Sequence, residues 1–123
     1  MALSLRERYR KMKWQQQLGN MASTLARIAN SALVAEHDET VKLCLREAAC
    51  FIEWSSPDAP PETRLELAAL QRELLAWQRL WPIETARSLL ALHARSQSDR
   101  ILQLAGYYTF QDTAQQAHPA DHA

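Results

Sequence analysis

Glycine and cysteine are both scarce in this chain of 123 residues, which has two of each. With only Gly19 and Gly106, there is no glycine-rich phosphate loop and no collagen-like or linker-like composition. Two cysteines are too few for a disulfide scaffold. Cys44 and Cys50 fall six positions apart in what reads as one helix. That is about 9 Å of rise, beyond the roughly 7 Å between Cα atoms that a disulfide tolerates. They lack the Cys-x-x-Cys spacing and His neighbours of a redox or metal site, so they are expected as small, reduced hydrophobes. An excess of one charge is also missing, since fourteen Lys and Arg balance fourteen Asp and Glu. No stretch approaches the roughly 18 apolar residues of a membrane span. The opening residues Met1–Arg6 place no apolar run after a positive charge, so no secretory signal is read there and the expected location is the cytoplasm.

What is present is apolar and helix-forming. Hydrophobic residues make up 47% of the chain, too many for intrinsic disorder. The length suits one domain, which can build a core without covalent staples. Ala, Leu, Gln, Glu and Arg dominate, and alternating strand-like patterns are absent. The prolines fall at junctions: Pro57, Pro60 and Pro61 between two periodic segments, Pro82 at another, and Pro119 near the end.

Four helices are predicted from apolar periodicity. The first covers 14–35, with Trp14, Leu18, Met21, Leu25, Ile28, Ala32 and Ala35 on one stripe. Gly19 interrupts it and suggests close approach by another part of the chain. The second runs over 38–54, with Asp38 as N-cap and Val41, Leu45, Ala48 and Ile52 as its stripe. Leu43, Cys50 and Trp54 lie on a second side. The third covers 61–80, with Leu67, Leu70, Leu74, Trp77 and Trp81 on one side and Leu65, Ala68 and Leu75 on the opposite one. The fourth follows Trp81-Pro82 and uses Ile83, Ala86, Leu90, Ala94, Gln97, Ile101 and Leu104, with Gly106 as its C-cap. The fold class is therefore all-α, an antiparallel up-and-down four-helix bundle with an N-terminal basic helical arm. The arm is 1–13, the bundle 14–110, and a disordered tail is expected over 111–123.

The arm is the sharpest local feature. Arg6, Arg8, Arg10, Lys11 and Lys13 against Glu7 give the first 13 residues a net charge of +4, leaving −4 for the rest. On a helical wheel Leu5, Tyr9 and Met12 cluster near about 150°, whereas Trp14, Leu18 and Met21 cluster near about 330°. A straight helix through both cannot serve one core, so the chain must bend or the arm must project. A basic segment with aromatics suits an acidic protein face, phosphate backbones or an anionic lipid surface. Docking of the arm on the acidic body is the alternative that involves no partner.

No catalytic pattern is found. His93 stands alone, His37 lies at a junction, and His118 and His122 are separated by Pro119, so no metal set is formed. No metal or cofactor is expected, and the chain is read as a non-enzyme. His93 and Gln97 are polar residues on or beside a core stripe, where a structural role is expected. Trp14 and Trp77 are expected in the core; Trp54 and Trp81, near helix ends, are expected to be partly exposed. Arg outnumbers Lys eleven to three, which favours planar multivalent contacts. The expected function is a non-enzymatic protein–protein interaction, as a regulatory or adaptor protein. Its candidate contact residues are Arg6, Arg8, Tyr9, Arg10, Lys11, Lys13, Trp54 and Trp81, with the second apolar sides of the middle helices. The partner would be a protein, either a second copy or another chain. The alternative is a small nucleic-acid-binding protein using the same arm, which the neutral overall balance disfavours.

Three runs, Gln17–Ile28, Phe51-Ile52-Glu53-Trp54 and Ser98-Asp99-Arg100-Ile101-Leu102, resemble small helical proteins of unknown function from cyanobacteria. The resemblance spans about residues 5–106. It implies a cytoplasmic helical protein and carries over no functional residue.

Overall fold

Apolar periodicity becomes five α-helices in the computed structural model, which describes residues 2–107. They are α1 (Leu5–Arg10), α2 (Trp14–Ser31), α3 (Asp38–Ser55), α4 (Pro61–Leu80) and α5 (Arg87–Ala105), with no strand among the described residues. None of these helices is long and apolar enough to cross a membrane. The four long helices form an antiparallel up-and-down bundle. The cross-helix bonds show the direction: on α2 and α5, Ala32 meets Arg87 while Ala22 meets Ser98. On α4 and α5, Glu66 meets Arg100 while Glu73 meets His93.

The stripes read from the sequence supply the core. Leu18, Leu25, Ile28, Leu45, Ile52, Leu67, Leu74, Leu90 and Ile101 are all buried. Each such side chain contributes roughly 1.5–3 kcal/mol by leaving water. The four helices do not pack evenly. α2 lies closest to α5, where Ala22, Ala29, Ala94 and Ala105 keep the side chains short. There the Ser98 hydroxyl donates to the Ala22 carbonyl at 2.8 Å. α4 packs on α3, but its backbone stays apart from that of α5. Long polar side chains close that seam. Arg100 pairs with Glu66 at 2.8 Å, and His93 Nε2 lies 2.7 Å from Glu73 Oε2 without hydrogen-bond alignment. The Arg100 guanidinium holds the Glu66 carboxyl below its ordinary range.

Helix ends depart from the periodic reading where the chain has to turn. The first long helix stops at Ser31, not at 35, because Val34 is extended and a 3₁₀ turn follows over Ala35–His37. Ala32 stays buried, whereas Ala35 is exposed and leaves the stripe. Asp38 is not a side-chain cap; it is the first residue of α3 and its carboxylate is used elsewhere. It takes a two-pronged contact from Arg87, at 2.7 and 3.0 Å, and the Trp81 Nε1 donates to it at 3.2 Å. Arg87 also donates to the Ala32 carbonyl and to Glu84, and its guanidinium lies 5.3 Å from the Trp81 ring centre. One buried cation thus ties the α2–α3 connection to the α4–α5 connection. Its hydrogen bonds hold the Asp38 carboxyl below the usual carboxylate range.

The two glycines differ in what they permit. Gly106 has φ of +81° and ends α5 with paired bonds from its own N–H to Gln103 and from the Tyr107 N–H to Leu102. A side chain there is strained although nothing crowds it. Gly19 is helical, and the close neighbour is the Tyr107 hydroxyl, 2.8 Å from where a Cβ would sit. That hydroxyl ends a half-exposed side chain that can swing aside. Residues 108–110, expected within the bundle, and the expected tail over 111–123 lie outside the described residues. The expected outcome is opposite signs for the same substitution. Gly106→Ala should destabilise by about 1 kcal/mol through left-handed strain. Gly19→Ala should stabilise by up to about 1 kcal/mol through helix propensity. Urea unfolding of the two variants checks this, and equal destabilisation would show that Tyr107 is fixed.

Candidate interaction surface

The arm bends rather than projects. Ser4 caps α1, its hydroxyl accepting from the Glu7 N–H at 3.1 Å, and the helix ends at Arg10. The extended backbone of Lys13 then starts α2 in a new direction. This turn resolves the mismatch of the two stripes, because it lets Tyr9 face the bundle. The Tyr9 ring is stacked on Phe51 at 4.4 Å between centres and packs at a tilt on Trp54 at 5.8 Å. Its hydroxyl donates to the Gln17 carbonyl at 3.0 Å and lies 2.6 Å from Ser55 Oγ, which therefore acts as donor. The Gln17 amide donates back to the Tyr9 carbonyl at 3.0 Å. Burial pushes the Tyr9 phenol up to about 12, only partly offset by Ser55.

Two expected contact residues are corrected by this geometry. Tyr9 is 1% exposed and Trp81 is 2% exposed, so neither side chain is presented to a partner. Tyr9 goes inside because Ser55 and Gln17 satisfy its hydroxyl. Trp81 goes inside because Asp38 accepts its N–H and Arg87 covers its ring. Trp54 is half-buried, as are Trp14 and Trp77, all three packing on the edge of the core. Arg6, Arg8, Arg10, Lys11 and Lys13 are all exposed. Among the described residues, none of these five cations forms an ion pair with an acidic group. Leu3 and Leu5 beside them are also exposed.

Beyond Trp54 the surface continues into a groove of about 290 Å³ between α3 and α4, lined by Arg46, Cys50, Glu53, Trp54 and Leu75. The Gln71 amide crosses it to the Ala49 carbonyl and to Glu53. Leu43 and Leu65, on the second sides of these helices, are exposed as well. No three His, Cys, Asp or Glu side chains converge as a metal site among the described residues.

The residues that fix the surface were partly missed by periodicity. Gln17 and Thr24 are buried polar residues seven positions apart, flanking Leu18 and Leu25. That spacing was the available signal for their burial. Ser55 and Arg87 carry no such signal, because their burial depends on Tyr9 and Asp38 arriving from distant segments. No family model matches the chain, and no curated protein or solved structure matches it.

The raised phenol ties stability to alkaline pH. The folded state holds the Tyr9 proton more tightly than the unfolded chain, whose tyrosine titrates near about 10. Its contribution is complete below that value and is lost as pH rises from about 10 to about 12. Between those limits the chain should lose about 2–3 kcal/mol of stability from this group. Tyr9→Phe should lower stability at neutral pH by about 1–3 kcal/mol, through the lost bond to the Gln17 carbonyl and the unpaired Ser55 hydroxyl, and remove that part of the alkaline decline. Denaturant midpoints of both proteins across this range check it; an unchanged decline in the variant would assign it to other groups.

Proposed function

We propose that this protein is a non-enzymatic interaction module whose primary contact surface is the basic α1 with its flanking Lys11 and Lys13. One observation carries the reading: Tyr9 is locked into the core while the five neighbouring cations face solvent without an acidic partner among the described residues. A flexible basic tail loses conformational freedom when it binds, but a helix already held by its own aromatic anchor loses less. Exposed Leu3 and Leu5 add apolar contact beside the charge, and half-buried Trp54 extends it toward the α3–α4 groove. Arginine supplies three of the five cations and suits planar, two-pronged contact with carboxylates. The partner of best fit is therefore an acidic protein surface. Two free thiols suit a reducing compartment, and the cytoplasm is part of this proposal.

A fluorescent polyglutamate peptide tests the surface directly. Replacing Arg6, Arg8, Arg10, Lys11 and Lys13 with Gln should leave helix content and melting temperature close to those of the parent. The peptide should bind roughly ten- to a hundredfold more weakly to the variant. Equal binding by both proteins would reject the arm as the contact surface. Duplex DNA titrated in parallel separates the alternative, since tight binding that falls steeply with salt would favour nucleic acid.

A further inference from the structure

The bundle has two chemically opposite ends. At one end lie α1, the start of α2, the end of α3, the start of α4 and the end of α5, with α1, α2 and α3 joined through Tyr9, Gln17 and Ser55. This end carries the five exposed cations with exposed Leu3 and Leu5. Glu7, Asp58 and Glu62 lie here too, and among the described residues they leave it net positive. At the other end the α2–α3 and α4–α5 connections meet across Arg87. Residues 32–42 and 79–87 hold four acids, Glu36, Asp38, Glu39 and Glu84, against Lys42, Arg79 and Arg87, a net of −1. Glu36 and Glu39 are exposed there, and so are Leu33, Val34 and Leu80. Each end thus pairs exposed aliphatic side chains with charge, and the charges are opposite.

The arm cannot reach this acidic end of its own chain. Tyr9 fixes α1 beside Gln17, and α2 carries the chain about 25 Å to the α2–α3 connection. That separation exceeds the roughly 8–10 Å over which exposed charges act in ordinary salt. A second copy has no such restriction. We propose that the chain associates head to tail with itself, the basic α1 end of one copy seated on the acidic end of the next, around Leu33, Glu36 and Glu39. This rests on the reading of α1 as a protein-contact surface and names a second copy as its occupant. Because the two contacting patches differ, the association is heterologous and does not close on itself in a dimer; it extends, unless a ring forms.

Light scattering on the full chain, from low micromolar to near-millimolar protein, tests the proposal. At about 10 mM salt the mass should rise with concentration beyond that of a dimer, and at about 150 mM it should fall back toward the monomer. Two variants make the test specific. One replaces Arg6, Arg8, Arg10, Lys11 and Lys13 with Gln; the other carries Glu36→Lys and Glu39→Lys. Each alone should remain monomeric, and an equimolar mixture should stop at a one-to-one dimer, since it retains one intact end from each. Circular dichroism confirms that both are folded. A monomeric parent at low salt, association of either variant alone, or a mixture that stays monomeric would overturn the head-to-tail contact. The polyglutamate peptide distinguishes the two failures. A monomeric parent that binds the peptide through α1 overturns only the self-association, whereas a parent that binds neither overturns both readings.

Discussion

Burial of one tyrosine ring decides how this molecule displays its charge. Leu5, Tyr9 and Met12 cannot share a helix face with Trp14, Leu18 and Met21, so burying Tyr9 requires the chain to break between α1 and α2. Once it breaks, the ring stacks on Phe51 and its hydroxyl finds Gln17 and Ser55. A buried hydroxyl without these partners would oppose the same burial. The consequence is electrostatic. Arg6, Arg8 and Arg10 are held on the outside of a short helix whose inner side is fixed, and Lys11 and Lys13 follow it exposed.

The opposite end depends on a comparable device with the charge turned inward. Arg87 is buried among Ala32, Asp38, Glu84 and Trp81, where every contact is either an acceptor or an aromatic face. A buried guanidinium is tolerated only with such partners. Its four neighbours come from both chain connections at that end, so the cation fixes their relative position. Between the two ends the bundle is uneven. Small residues bring α2 and α5 together, while α4 and α5 meet through Glu66–Arg100 and Glu73–His93 across a wider seam. α4 therefore owes most of its close packing to α3.

This arrangement gives meaning to a net charge of zero. The balance of fourteen cations and fourteen anions sets a net of +4 over residues 1–13 against −4 over the remaining 110 residues. A neutral total normally argues against charged partners. A local excess of one sign keeps a field that acts within a screening length of its surface. The exposed leucines at both ends place apolar area where such a field would bring another surface into contact.

The sequence by itself determined the four long helices, the limits of α3 and α4, and nearly all of the apolar core. Those features follow from local periodicity, prolines at junctions and a glycine after the last stripe, which act within a few residues. Pro61 at the start of α4 and Gly106 after α5 were legible on these grounds. The expected exposure of Trp81 and the expected contact role of Tyr9 were not sound on the same grounds. Whether an amphipathic ring is inside or outside depends on who meets its polar atom. Asp38 meets Trp81 from 43 residues away, and Ser55 meets Tyr9 from 46. The tertiary structure alone decided those pairings, and with them which aromatics are buried and which cations remain at the surface. Hydrogen-bond satisfaction across distant segments leaves no periodic trace in a sequence.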